Sequence, residues 1–285
     1  MSRILNVLDQ FPKNLFPPGQ PVIITSEIEK CLAYVNTLKE KRQNSAARIG
    51  MILGEPCSSK TVLAYHLVNL SPIISNTGLP TILYFEIKRG ITERALLQNI
   101  IRFFGEDPRD YKEDNTQFGL IDPVINLLTD NEINMIIFDE SNRINEGVFE
   151  IIRQIFDRTS IIPLLLGTLD LLQVIDGKPQ FESRVYNPET MSPLTDDEMV
   201  STYLPELKIP RWRFNENTDK RLGIKIWLLV KPNLRKLQDL LDDARDAAQM
   251  KGDDWITEEH INIVIKTPGW RFNKTEKRKG RKINS

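Results

Sequence analysis

Gly54-Glu55-Pro56-Cys57-Ser58-Ser59-Lys60-Thr61 is the stretch whose reading decides the fold. The apolar run Ile49-Gly50-Met51-Ile52-Leu53 precedes it, and Val62-Leu63-Ala64-Tyr65-His66-Leu67 follows. That context predicts a strand, a tight loop and a helix. Such a loop wraps backbone N–H groups around a polyphosphate, and the positive end of the helix faces the same charge. In this reading Gly54, Glu55, Pro56, Cys57, Ser58, Ser59, Lys60, Thr61 and Val62 surround a nucleotide. Lys60 meets the β- and γ-phosphates, and the Thr61 hydroxyl serves Mg²⁺. The motif Gly-x-x-x-x-Gly-Lys-Ser/Thr is broken once, because Ser59 stands where the second glycine belongs. A serine held there at positive φ costs on the order of 1 kcal/mol, or else the loop shifts.

Working outward, a second signal lies about 80 residues on. Asn134-Met135-Ile136-Ile137-Phe138-Asp139-Glu140 is an apolar run ending in two carboxylates. A strand of this type ends beside the phosphate loop. Asp139 then holds Mg²⁺ and Glu140 polarises the attacking water. The two motifs together imply ATP and Mg²⁺ as ligands and hydrolysis to ADP and phosphate, slowed by the departure at Ser59.

The rest of the α/β region alternates strands with helices. Ser26-Glu27-Ile28-Glu29 opens a helix with Ile28, Leu32, Val35 and Leu38 on one face. Strands are predicted at residues 81–87 and 161–166, with a short fifth one at 190–194. Thr92 caps the helix that carries Ala95, Leu96, Ile100 and Phe103, and Pro123 interrupts a helix over residues 118–128. This alternation implies a parallel sheet covered on both faces, with ligands at the carboxyl ends of its strands. The phosphate loop, Asp139, Glu140 and Thr168 all fall at such ends. From the capping box Thr195-Asp196-Asp197-Glu198 onward the pattern is helical, with segments at 219–230, from Leu234 onward, and after Thr257. The organisation is therefore an N-terminal arm (1–25), an α/β domain (26–200), a small helical lid domain (201–266) and a basic tail (267–285).

The 285 residues, 40% hydrophobic, are enough to bury a core without staples, and the two cysteines, Cys31 and Cys57, form no disulfide framework. No apolar run approaches the ~20 residues of a membrane span, and the N-terminus has no secretory apolar region. These features point to a cytoplasmic protein with no membrane partner. Net charge is −1, yet residues 266–285 carry eight Lys or Arg against the single Glu276, so the body is acidic. The tail is either a solvated terminus or a contact for an acidic partner or nucleic acid. Arg211-Trp212-Arg213-Phe214 and Trp270-Arg271-Phe272 mix arginine with aromatic rings, for nucleic-acid stacking or for cation–π packing on the protein's own surface. His66 and His260 lack partners at metal-ligand spacing.

With the phosphate loop, Ile136-Ile137-Phe138-Asp139-Glu140-Ser141-Asn142-Arg143-Ile144 and Leu164-Leu165-Leu166-Gly167-Thr168-Leu169-Asp170 in hand, the chain resembles an AAA+ ATPase. More narrowly it resembles the TnsC/TniB regulators of DNA transposition, including those of CRISPR-associated transposons. The resemblance implies a sheet of order 5-1-4-3-2. It implies Thr168 as a sensor, Arg184 in Phe181-Glu182-Ser183-Arg184 as a finger reaching a neighbour's γ-phosphate, and Arg235 as a lid sensor. It also implies assembly on double-stranded DNA as rings or filaments, bridging a TniQ-type target selector and a transposase. DNA contacts would come from Lys88, Arg89 and Arg94. A plain AAA+ motor or loader, and a nucleotide-binding scaffold with little hydrolysis, are the competing expectations.

Overall fold

The computed structural model describes residues 22–44, 48–72, 78–111, 117–267 and 270. Most of the expected arm (residues 1–21 of 1–25), almost all of the basic tail and the Arg271-Phe272 pair lie outside the described residues. Two compact units emerge, one built on residues 26–192 and one on residues 193 onward together with 22–25.

The first unit is an all-parallel five-stranded sheet: β1 (Gly50–Leu53), β2 (Ile82–Glu86), β3 (Met135–Asp139), β4 (Ile162–Gly167) and β5 (Glu189–Thr190). Its order is β2-β3-β4-β1-β5, which is the expected 5-1-4-3-2 read from the other edge. Every residue of β1, β3 and β4 is buried, as both faces of a parallel sheet demand. The helices α1 (Ser26–Gln43), α2 (Lys60–Asn69), α3 (Glu93–Phe103), α4 (Gln117–Asp130) and α5 (Glu146–Thr159) supply the cover. Their apolar faces include Val35, Leu38, Leu63, Leu97, Ile100, Phe149 and Ile152, all fully buried.

Proline is accommodated twice where a rule of thumb says otherwise. The helix α4 runs unbroken through Pro123, against the expected interruption. One lost N–H bond and the ring clash cost ~3 kcal/mol. Leu120, Ile121, Val124, Ile125 and Leu128 are all buried on this helix, each contributing ~1.5–3 kcal/mol, and burial prevails. Pro163 lies in the central strand β4. Ile162 donates its N–H to Asn134 on the β3 side, so the nitrogen of Pro163 faces the β1 side. Pro163 stands one residue before the first β1–β4 pair, Gly50 with Leu164, so no ladder bond is lost.

The fifth strand is shorter than expected. Only Glu189 and Thr190 pair, with Ile52 and Leu53 of β1, and Met191 N–H adds a bond to Leu53 O at 2.7 Å. Two short helices, α6 (Leu172–Ile175) and α7 (Pro179–Glu182), lead into it.

The second unit is helical. Thr195 and Glu198 form the predicted reciprocal capping box on α8 (Asp196–Glu198), which continues through a π-helical turn, Met199–Tyr203, into α9 (Leu204–Glu206). Then come α10 (Glu216–Val230), α11 (Leu234–Lys251) and α12 (Glu258–Lys266). The helix α10 starts three residues earlier than expected, because Asn215 caps it by accepting the Asn217 N–H. Ile226, Trp227, Leu240, Leu241, Ala244, Ala248 and Ile261 form its core. Trp212 packs into that core and stacks on Phe214 with ring centroids 5.6 Å apart, while Arg213 lies 5.7 Å over Trp255. The first Arg–aromatic cluster is thus packing within its own unit. Among the described residues no helix is long and apolar enough to cross a membrane.

Candidate nucleotide site

The loop begins where β1 ends. Gly54 donates its N–H to Gly167 O on β4 at 3.0 Å. A Cβ on Gly54 would sit 2.3 Å from Met191 O and 2.6 Å from Ser58 Oγ, so only glycine fits between the loop and the chain leaving β5. Glu55, Pro56 and Cys57 are exposed, whereas Ser58 is buried beneath them. Cys57 and Ser59 both have positive φ, 71° and 66°. The chain therefore keeps the left-handed geometry a glycine would take at Ser59 and accepts the strain instead of shifting the loop. Ser59 is the N-cap of α2, but its side chain makes no capping bond. The N–H groups of the first turn, from Lys60 to Val62, have no partners within the helix and are available to an anion.

Lys60 curls back over this loop. Its Nζ donates to Gly54 O at 2.8 Å, Glu55 O at 2.9 Å and Ser58 Oγ at 3.0 Å. Burial lowers its pKa, and the nearby Asp139 and Glu140 charges oppose that shift. The next residue, Thr61, donates from Oγ1 to Asp139 Oδ2 at 2.7 Å. That bond links the two sequence motifs.

Asp139 is 3% exposed and has further partners. Its Oδ1 accepts the Glu140 N–H at 2.8 Å, and Oδ2 also accepts the Tyr84 hydroxyl at 3.1 Å. Burial, reinforced by the Asp139 charge, holds the Tyr84 phenol well above its usual range, so it stays a donor. Hard oxygen ligands on Thr61 and Asp139 suit Mg²⁺, which binds through one or two protein oxygens plus phosphates. Among the described residues no group of three or more His, Cys, Asp or Glu converges as a metal site of its own.

Glu140 turns the chain at φ 56°, and its carboxylate is half-exposed. Arg143 grips it, with NH2 3.1 Å from Glu140 Oε2, while NH1 donates to Ile87 O at 3.1 Å and lies 3.6 Å from Glu86. Thr168 follows β4 directly, and its hydroxyl lies 3.2 Å from an oxygen of Asp170. Lys88 and Arg89 are exposed on the turn after β2, and Arg94 is exposed in the first turn of α3. Glu86 pairs in register with Asp139, so this turn shares the carboxyl end of the sheet.

Arg184 is placed elsewhere. Its carbonyl accepts the Ile49 N–H at 2.9 Å, at the amino end of β1. Five residues of strand, ~16 Å at ~3.3 Å per residue, separate that level from Gly54. Its guanidinium holds Asp157 at 2.8 Å and donates to Gln180 O at 2.9 Å. Arg235 belongs to the helical unit, exposed in the first turn of α11.

Tyr84 and Arg143 were not singled out as site residues from the sequence. Tyr84 stands opposite Ile137, one diagonal step from Asp139, and that relation exists only once the register of β2 on β3 is known. Arg143 three residues after Glu140 was a legible signal, since an acid and a base at that spacing meet on a helical turn.

Comparison with known proteins follows the same lines. A family model described as Bacterial TniB protein matches residues 19–193. No curated protein matches the sequence. Among solved structures, the Aeropyrum pernix ORC2 protein in ADPNP–ADP complexes superposes with a TM-score of 0.67 at 17% identity, covering 88% of this chain and 70% of that one. Cdc6p from Pyrobaculum aerophilum gives 0.64 at 16%, covering 88% and 69%. The Aeropyrum pernix ORC1 protein in complex with DNA gives 0.63 at 14%, covering 88% and 67%. At such identities the likeness carries the fold, which is that of AAA+ ATPases.

Proposed function

The chain belongs to the TniB family, and from that premise and the geometry at residues 54–61 and 139–140 we propose that it is an ATP-dependent, DNA-binding adaptor of transposition. The observation that carries the reading is the convergence of Lys60, the Thr61–Asp139 hydrogen bond and Glu140 at one end of the sheet. Residues 54–62 would cradle the phosphates with backbone N–H groups. Lys60 would exchange its carbonyl partners for the β- and γ-oxygens, a charge-assisted contact stronger than the ones it leaves. Thr61 and Asp139 would hold Mg²⁺, whose charge would offset that of the phosphates. Glu140, steadied by Arg143, would orient and polarise the attacking water. Thr168 would sense the γ-phosphate from the end of β4.

Arg184, at the far end of its own sheet, would serve a neighbour's nucleotide, and Arg235 would act as the lid sensor. Lys88, Arg89 and Arg94, repeated in every subunit of a ring or filament, would follow duplex DNA phosphates without reading bases. The ORC1 neighbour solved with DNA is a precedent for the fold at DNA. A TniQ-type selector and a transposase would be the proteins bridged. Four domain roles go with this reading: arm (1–25), nucleotide domain (26–200), lid (201–266) and basic tail (267–285). A motor or loader, and a scaffold that hydrolyses little, are the alternatives.

One experiment separates them: ATPase rates with and without duplex DNA, beside negative-stain images, for wild type and Lys60→Ala. The adaptor reading expects slow turnover and ATP-dependent coating of DNA, both lost in Lys60→Ala. Fast processive turnover favours a motor, and assembly without turnover favours a scaffold. Undiminished ATP-dependent assemblies from Lys60→Ala would remove the site assignment.

A further inference from the structure

The carboxylate of Asp139 accepts hydrogen bonds from three directions: Thr61 Oγ1 on α2, the Glu140 backbone N–H, and the Tyr84 hydroxyl on β2. These three donors are unequal. The Glu140 N–H belongs to the next residue and moves with Asp139. Thr61 sits on the helix that follows the phosphate loop, and its hydroxyl would face Mg²⁺. Tyr84 alone stands on a neighbouring strand, 1% exposed, in the middle of a five-residue ladder with β3.

The terminal torsion of an aspartate is soft and roughly two-fold, so its carboxylate plane must be set from outside. Phenylalanine would fill the same core space as Tyr84. Burying a hydroxyl there costs free energy unless it is bonded, and Asp139 takes that bond. Resting on the nucleotide reading above, we propose that Tyr84 is a positioning residue, whose hydroxyl fixes the Asp139 carboxylate in the orientation that Mg²⁺-nucleotide requires, without touching metal or nucleotide itself. The distinctive consequence is that Tyr84 matters for the metal-loaded nucleotide and is indifferent to the metal-free one.

The test uses the full chain and a fluorescent ADP analogue, titrated with excess Mg²⁺ and again in EDTA. Tyr84→Phe should weaken binding about tenfold with Mg²⁺, the scale of one hydrogen bond to a charged group, and leave binding in EDTA unchanged. The Mg²⁺ concentration at half effect should rise by a similar factor. Equal weakening in both conditions would make Tyr84 ordinary packing and overturn the proposal. So would unchanged affinity in both. If wild type binds the analogue in neither condition, the nucleotide reading itself falls, a result distinct from a failure confined to the variant. Should Tyr84→Phe not fold, as judged by thermal melting, Tyr84→Met fills the space without a hydroxyl and must give the same Mg²⁺-selective loss.

Discussion

The two ends of the parallel sheet are built on different physical terms. At the carboxyl end, Asp139 is 3% exposed and bonded by Thr61, Tyr84 and the Glu140 N–H, all from its own chain. At the amino end, Arg184 belongs to a string of ion pairs: Glu150 with Arg153, Arg153 with Asp157, and Asp157 with Arg184. Arg184 and Asp157 remain 31% and 28% exposed. Half-solvated pairs are worth ~0–1 kcal/mol, whereas breaking hydrogen bonds to a buried charge costs several times that. One end is therefore assembled inside the chain. The other can trade Asp157 for another anion at little cost, as the role proposed for Arg184 requires.

The largest effect should come from the self-contained end. Glu140→Gln removes the carboxylate proposed to polarise water and keeps the side chain's size, with an amide oxygen that can still accept from Arg143. Steady-state turnover should fall by about 10²–10⁴, with nucleotide affinity retained and DNA assemblies longer-lived. Retained turnover, or faster dissociation from DNA, would break the assignment of chemistry to this end.

Next comes the exchangeable end. Arg184→Ala should bind ATP normally and lose about 10²-fold in turnover, below the ~10³–10⁵ of well-studied arginine fingers because the wild-type rate is expected to be slow. Mixing Arg184→Ala with Lys60→Ala, each inactive alone, should restore part of the ATPase activity, since some junctions then join an intact loop to an intact arginine. Co-assembly without recovery would make the two ends alike and leave Arg184 a structural ion-pair partner.

The smallest effect tests the departure in the loop. Ser59→Gly relieves a left-handed serine worth ~1–2 kcal/mol, and the added freedom of the unfolded chain takes back ~0.5–1 kcal/mol. Tm should rise by a degree or two by calorimetry. A fall in Tm would mean that the Ser59 side chain contributes bonds of its own to the loop.

The outlines of this comparison were legible in the sequence, but its bonds were not. Gly54, Lys60, Thr61, Asp139 and Glu140 stand out as candidates because phosphate, metal and water would each demand particular side chains at particular spacings, and the structure brings these residues to one end of the sheet. The five-strand order came with the family resemblance that those motifs support. Tyr84 escaped because β2 reads as one apolar run, and which of its side chains lies diagonally across from Asp139 is decided by strand register. Pro123 misled because the penalty of a proline is local, while the burial that overrides it is set by tertiary packing. The first arginine–aromatic cluster left two readings open in the sequence, and only tertiary contacts choose packing between them: Arg213 lies over Trp255, and Trp212 is interior.

The strand order also says something about birth. Among the described residues, the first strand made is β1, and its ladder partners lie far along the chain. It pairs with β4 and β5, and Leu53 waits more than a hundred residues for Gly167 and longer for Thr190. At ~5–20 residues per second of synthesis, the phosphate loop emerges from the ribosome several seconds before the strands that hold it in place. Through that interval Met51, Ile52 and Leu53 are an apolar segment without a sheet, the sort of surface that chaperones cover. On the proposed site, nucleotide would not help the nascent chain early, because Gly54 is seated only when Gly167 and Met191 have arrived. Nucleotide should thus rescue late folding defects and leave truncated chains ending before β5 untouched.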